Sequence, residues 1–263
     1  LLLERRGRTW QCARRHSYDV ARSGYLNLLQ PQDRRSSNPG DSAEAVEARA
    51  RLIGAGIGRS ILDGIVHALA RLASLRDVVV DLGSGTGDAL GSLQEHIGMT
   101  GIGIDISTAA AEHASRRFPP ITWIVANADR RLPLLDGCVD VILSMHGRRN
   151  VAECARVLTP AGRLLVAVPA ADDLIELREL VLGEGIARER TEALVAEHVP
   201  RFSLSQRFAL RERHHLSAAA LADLLRSTYR GERRAELHKL DGVSSLDVTL
   251  ASDVLILERS GGD

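Results

Sequence analysis

Lysine is almost absent from this chain: Lys239 stands alone among 34 lysine and arginine residues, a bias that reflects genome composition more than function. There are only three cysteines, Cys12, Cys138 and Cys154, with no repeated spacing. That excludes a disulfide framework and fits a reducing compartment, so a cytoplasmic protein is expected. No apolar run approaches a membrane span, and Leu1-Leu2-Leu3 is followed at once by charge, unlike a signal peptide. Net charge is missing too, since 34 acidic residues balance 34 basic ones; the molecule as a whole does not attract polyanions. The totals hide a local imbalance. Residues 1–35 hold eight arginines (Arg5, Arg6, Arg8, Arg14, Arg15, Arg22, Arg34, Arg35) against Glu4, Asp19 and Asp33, a net of +5. A basic arm on a neutral body suits a phosphate backbone, and a solvated arginine face is the alternative.

At 263 residues the chain has room for one large domain and a small appendage. Its organising stretch is Val78-Val79-Val80-Asp81-Leu82-Gly83-Ser84-Gly85-Thr86-Gly87. The β-branched run reads as a buried parallel strand, and the glycines after it as a tight turn into a helix where the backbone can approach a ligand. About 18 residues on, Gly101-Ile102-Gly103-Ile104-Asp105 reads as a second buried strand ending in a carboxylate. That is the separation of a βαβ nucleotide unit whose acid accepts hydrogen bonds from a ribose. Further strands are expected at residues 121–126, 139–144 and 163–169, with a helix at Val151–Val157 between the last two. Alternation of strand and helix predicts an α/β doubly wound sheet with its site at the C-terminal ends of the strands. Beyond it, residues 172–182 read as a helix, 202–216 and 246–257 as the last strands, and 217–227 as the helix between them.

The turn Asp81-Leu82-Gly83-Ser84-Gly85-Thr86-Gly87 resembles motif I of the class I methyltransferases that use S-adenosylmethionine, and residues 155–165 resemble the segment that follows motif IV in that superfamily. The resemblance implies a Rossmann-like sheet with an antiparallel last strand. It also implies a cofactor set of Asp81, Gly83, Ser84, Gly85, Gly87 and Asp88 at the methionine end, Asp105 and Ile106 at the ribose, Asn127, Ala128 and Asp129 at the adenine, and Asp173 in a loop reaching over the cofactor.

The N-terminal residues narrow the resemblance. Cys12-Ala13-Arg14-Arg15-His16 is a C-x3-H, half of a tetrahedral zinc site. With the segment from His16 to Leu29, and Pro39-Gly40-Asp41-Ser42-Ala43-Glu44 after it, it resembles the small zinc-ribbon-like domain opening the bacterial 23S ribosomal RNA guanine-N1 methyltransferases, whose members include macrolide-resistance enzymes. In that family a C-x2-C pair just upstream supplies the other two ligands. The module reads either as truncated or as one that has lost its zinc; Cys12 and His16 are a half site, and Zn2+ is expected only if the full-length protein carries the missing pair. The expected divisions are residues 1–33 for the RNA-recognition module, 34–75 for a linker and helices, and 76–263 for the methyltransferase domain. Asp41 or Ser42 is expected to cap a helix entered at Ala43, and the glycines at 54, 56 and 58 to break it before a second helix over residues 61–72.

By this resemblance the reaction is methylation of guanine N1 in a hairpin loop of 23S ribosomal RNA, by a homodimer. Arg14, Arg15, Arg22, Arg34 and Arg35 are the phosphate-contact candidates; Arg207, Arg211, Arg213, His214 and His215 make a second basic cluster. Guanine N1 bears a proton that must leave, so a nearby base is useful, and His146 and Asp129 stand at strand ends facing the expected pocket. Where many relatives have Ala-Pro after the fourth strand, this chain has His146-Gly147-Arg148-Arg149-Asn150, and Gly58 replaces an aromatic residue. No N-P-P-Y or D-P-P-Y follows that strand, and no Pro-Cys, so adenine-amino and cytosine-C5 chemistry lack their signatures; Cys138, before the strand, reads as core. Two other functions are compatible with the same residues: a small-molecule methyltransferase, and a ribosome-binding protein without catalysis.

Overall fold

The computed structural model describes residues 3–30, 39–183, 191–228 and 237–260. At its centre is an eight-stranded sheet in the order β10-β11-β9-β8-β5-β6-β7-β4. Six of its strands run parallel: β4 (Leu26–Asn27), β5 (Val78–Leu82), β6 (Thr100–Asp105), β7 (Thr122–Val125), β8 (Val139–Met145) and β9 (Leu158–Pro169). β11 (Ser245–Arg259) lies antiparallel to β9, and β10 (Phe202–Ser217) antiparallel to β11. The order reverses beside β5, which opens a crevice at the C-terminal end of that strand. Here the glycine turn sits.

Because successive side chains on a strand point to opposite faces, neighbours in sequence feed separate cores. Val79, Val141 and Leu165 pack with α2 (Arg59–Leu72) and α3 (Asp88–Ile97) on one face. Val80, Ile142 and Leu164 pack on the other with α5 (Val151–Val157) and α7 (Thr191–His198). α2 is held there by a stripe of Ile61, Leu62, Ile65, Val66 and Leu69, all buried and spaced to one side of a helix. A third cluster joins Leu52 of α1 (Ala43–Gly54) to α6 (Ile175–Leu182), α8 (Ala218–Thr228) and the first residues of β11.

The helix signals near residue 42 act as expected. Ser42 caps α1 by accepting a hydrogen bond from Ala45 N–H, and Gly58, with φ at 83°, opens α2 after an 87° bend between the helices. No single described helix is long and apolar enough to cross a membrane. The sixth helix starts later than its sequence suggests: residues 171–174 form turns, and Leu174 takes a left-handed φ of 54° before α6 begins at Ile175. Cys138 is half-buried, its thiol donating to Leu135 O, rather than a core residue; Cys154 is the fully buried one.

The N-terminal segment forms a small antiparallel sheet of β1 (Leu3–Arg6), β2 (Thr9–Cys12) and β3 (Ser17–Asp19). It does not hang free. β4 (Leu26–Asn27) pairs in parallel with β7, Leu26 opposite Ile124, and so becomes the edge of the central sheet.

Candidate active site

The three glycines after β5 all have left-handed backbones, φ 79° at Gly83, 53° at Gly85 and 81° at Gly87, a conformation that favours residues without Cβ. They do not serve one purpose. A Cβ on Gly87 would lie 2.6 Å from the Trp123 ring, and one on Gly103 would lie 2.2 Å from it. These two glycines make room for a buried indole, whose Nε1–H donates to Phe118 O at 3.0 Å. Gly85 instead faces the Arg49 guanidinium, 3.1 Å from where a Cβ would stand. Gly83 faces Gly147, and a Cβ on Gly147 would meet Leu82 O at 2.7 Å. The loop after β8 is thus packed backbone against backbone on the glycine turn.

Asp81 is 2% exposed, and its Oδ1 is buried without a hydrogen-bond partner. Desolvation, with the Asp105 charge adding to it, pushes its carboxyl up to about 8. A buried acceptor without a donor, at the open end of the central strand, fits a cationic ligand group. Asp105 accepts from Gly85 N–H at 2.8 Å and from Ser107 N–H at 2.7 Å, which fixes its carboxylate against the turn. Burial raises its pKa and those two bonds oppose the rise. Ser84 Oγ, beside Gly103, is also buried without a partner. These residues fit the ammonium, carboxylate and ribose groups of S-adenosylmethionine.

Sequence alone does not mark Arg49 as a site residue. From α1 it bonds Asp41 Oδ2 at 2.8 Å and Ser227 O at 2.6 Å, and its charge also acts on Asp105 and His146. The helix that carries it is anchored over the glycine turn by Ser107 Oγ–H, which donates to Asp41 O at 2.6 Å.

The other sequence candidates divide. Asn127, Ala128 and Asp129 follow β7 at the same end of the sheet, with Asn127 Oδ1 accepting from Asp129 N–H at 2.9 Å. Ile106 is half-buried beside Asp105. Asp129 pairs with Arg148 at 3.3 Å on the wall of an open cleft of about 680 Å³. His146, with φ at 54°, directly follows β8 and is exposed, its Nε2 2.9 Å from Ser252 Oγ. Desolvation of the imidazole, and then the Arg49 charge, lower its pKa to about 4, so it is neutral at pH 7. Two acids have protein partners: Asp88 Oδ1 pairs with Arg117 at 2.7 Å while its Oδ2 is buried without one, and Asp173 Oδ1 accepts from Ala251 N–H at 2.9 Å.

In the N-terminal module Cys12 Sγ and His16 Nδ1 stand 3.5 Å apart across the β2–β3 turn. Two neighbouring ligands of one tetrahedral zinc are roughly that far apart. They make half a site; among the described residues no group of three or more His, Cys, Asp or Glu is placed to hold a metal. Arg14, Arg15 and Arg22 are exposed on this module. Arg34 and Arg35 lie outside the described residues. In the second basic cluster Arg207, Arg211 and Arg213 each pair with an acid, Glu192, Asp172 and Asp247.

Solved structures of low identity share the fold. YcgJ of Bacillus subtilis has a TM-score of 0.54 at 17% identity, covering 76% of this chain and 100% of its own. Geranyl diphosphate C-methyltransferase of Streptomyces coelicolor A3(2) has a TM-score of 0.52 at 18% identity, covering 88% and 91%. A family profile for a methyltransferase domain matches residues 79–162. Sheet order, glycine turn and strand-end carboxylates together define a class I S-adenosylmethionine-dependent methyltransferase.

A second profile, the zinc ribbon described as "RlmA, N-terminal", matches residues 1–37. The 23S rRNA (guanine(748)-N(1))-methyltransferase of Streptomyces fradiae is 35% identical over 218 residues, 81% of this chain and 76% of its own length. YxjB of Bacillus subtilis (strain 168), provisionally named for guanine-N1 methylation of 23S rRNA, is 31% identical over 261 residues, 95% of this chain and 91% of its own. The chain belongs to the RlmA-type family of 23S rRNA guanine-N1 methyltransferases.

Proposed function

We propose that this chain transfers a methyl group from S-adenosylmethionine to N1 of a guanine in a hairpin loop of 23S ribosomal RNA, in the cytoplasm. The observation that carries the cofactor half is the buried, partnerless Oδ1 of Asp81 at the open end of β5. The RNA half rests on kinship with the Streptomyces fradiae enzyme across both the zinc ribbon and the catalytic domain.

When bound, the cofactor supplies an activated methyl on a sulfonium that is its own leaving group. The protein's work is then positional. Asp81 would accept from the amino group of the methionine end, Arg49 would hold its carboxylate, and Asp105 would accept from the ribose hydroxyls. Asn127, Ala128 and Asp129 border the adenine side. His146 follows the strand beside this loop and is unprotonated, the form needed to take the N1 proton, though a pKa of about 4 makes it a weak base until the bound guanine changes its surroundings; Ser252 orients the ring through Nε2. Asp129 shares its carboxylate with Arg148, which leaves it the weaker candidate for that proton. A base must leave its stack to reach such a site, which favours an unpaired loop as substrate.

We assign residues 1–33 to RNA recognition, 34–75 to a linker with the cofactor-covering helices, and 76–263 to catalysis. Arg14, Arg15 and Arg22 supply exposed charge for phosphates. Zinc, with ligands beyond Cys12 and His16, would brace the ribbon, and a homodimer would set two ribbons about one RNA. Tritium from labelled S-adenosylmethionine should enter unmodified 23S rRNA and not a panel of small acceptors. Cofactor binding without RNA labelling would move the assignment to a small molecule.

A further inference from the structure

The cleft beside the glycine turn holds more positive charge than its own acids neutralise. It has a volume of about 680 Å³ and lies between the loop after β8 and the end of α7, reaching Pro200 and Arg201; that is a size suited to a single nucleotide. Three arginines and two acids line it, and Arg148 is already paired with Asp129. Glu197 stands at the exposed rim, where its charge acts on Arg149 without forming an ion pair with it.

Arg149 is different. Its Nε–H donates to His198 Nε2 at 3.1 Å and its Nη1 to Gly147 O at 3.3 Å. His198 is wholly buried, and its Nδ1–H donates to Leu194 O at 2.7 Å, which leaves the Nε2 lone pair to meet Arg149. Burial keeps that imidazole neutral, so it positions the guanidinium without cancelling its charge. Among the described residues no carboxylate lies within ion-pair distance of Arg149 or of Arg201. Holding a half-buried cation on a neutral partner is costly unless an anion completes the site.

We infer that Arg149, fixed by His198, and Arg201 bind phosphodiester groups flanking the target guanosine, so that the cleft seats one nucleotide of a single-stranded RNA segment. The inference deepens the rRNA reading and rests on it. Arg149 and Arg201 are positioning residues: they hold the strand while the groups around the glycine turn hold the cofactor.

The test is binding of an unmodified 23S rRNA transcript by wild type, Arg149→Ala, Arg149→Lys and Arg201→Ala across a salt series, with calorimetric S-adenosylmethionine affinity measured alongside. Arg149→Ala and Arg201→Ala should each weaken RNA binding by about tenfold and flatten the plot of log affinity against log salt by about 0.7 per lost contact. Arg149→Lys should keep the slope and lose part of the affinity, because it retains the charge without the fork. KM for RNA should rise more than kcat falls, and cofactor affinity should stay at the wild-type value. Arg201 is exposed, so its variant reads the contact even if Arg149→Ala folds poorly. Wild-type RNA affinity and salt slope in Arg201→Ala, together with wild-type affinity in Arg149→Lys, would overturn this inference alone. A wild-type chain that does not bind the transcript would overturn the rRNA reading and this inference with it.

Discussion

Replacing Asp81 by Asn should stabilise the ligand-free protein while abolishing cofactor binding. The carboxyl is 2% exposed, and burial raises it from 3.8 to about 8. Between those values the folded state holds a proton that the unfolded chain has released. Stability due to this group is therefore greatest below pH 3.8 and declines as pH rises to about 8. At pH 7 the mismatch costs about 4 kcal/mol, against about 2 kcal/mol at pH 5. Asn keeps the shape and does not titrate. In urea melts of both proteins, the advantage of Asp81→Asn should grow by about 3 kcal/mol between pH 5 and pH 7.5. Calorimetry supplies the other half. A cationic amino group binds the ionised carboxylate, so wild-type affinity for S-adenosylmethionine should climb by up to about tenfold per pH unit toward pH 8, and Asp81→Asn should show no binding. Parallel stability curves for the two proteins, or a variant that still binds the cofactor, would refute the reasoning.

Other substitutions probe the rest of the site. Arg49→Ala should weaken S-adenosylmethionine binding by about 10- to 100-fold, the loss of a charge-assisted bond, with Arg49→Lys recovering part of it in the same calorimetric titration. Gly147→Ala puts a methyl 2.7 Å from Leu82 O; a destabilisation of about 1–3 kcal/mol with lost methyl transfer is expected from melts and label incorporation. His198 is depressed from 6.5 by burial, so its contribution to stability is full above pH 6.5 and is lost as pH falls below it. His198→Gln should flatten that acid limb of the wild-type curve, and an unchanged limb would remove His198 as its cause.

The βαβ unit was legible because its signals are local. β-branched runs, glycines in a turn and an acid one helix later declare themselves within 30 residues, and the parallel order follows. β4 gave no such signal: two residues, Leu26 and Asn27, cannot show a period, and only the exposed edge of β7 makes them a strand. Arg49 was missed for a similar reason, since nothing along α1 tells which arginine the 87° bend carries over the glycine turn. Gly87 also carries a packing role that no local signal announces: the space on its Cβ side is taken by Trp123, 36 residues away in sequence. The Arg149–His198 contact spans 49 residues and joins a loop to a helix end, so neither partner marks the other.

The most direct test of the central claim is primer extension on 23S rRNA after incubation with the full-length protein and S-adenosylmethionine. A methyl on guanine N1 blocks Watson–Crick pairing, so reverse transcriptase should halt one nucleotide before a single guanine in a hairpin loop, and only when both protein and cofactor are present. Full-length extension through every loop, from a protein shown to bind the cofactor, would contradict it.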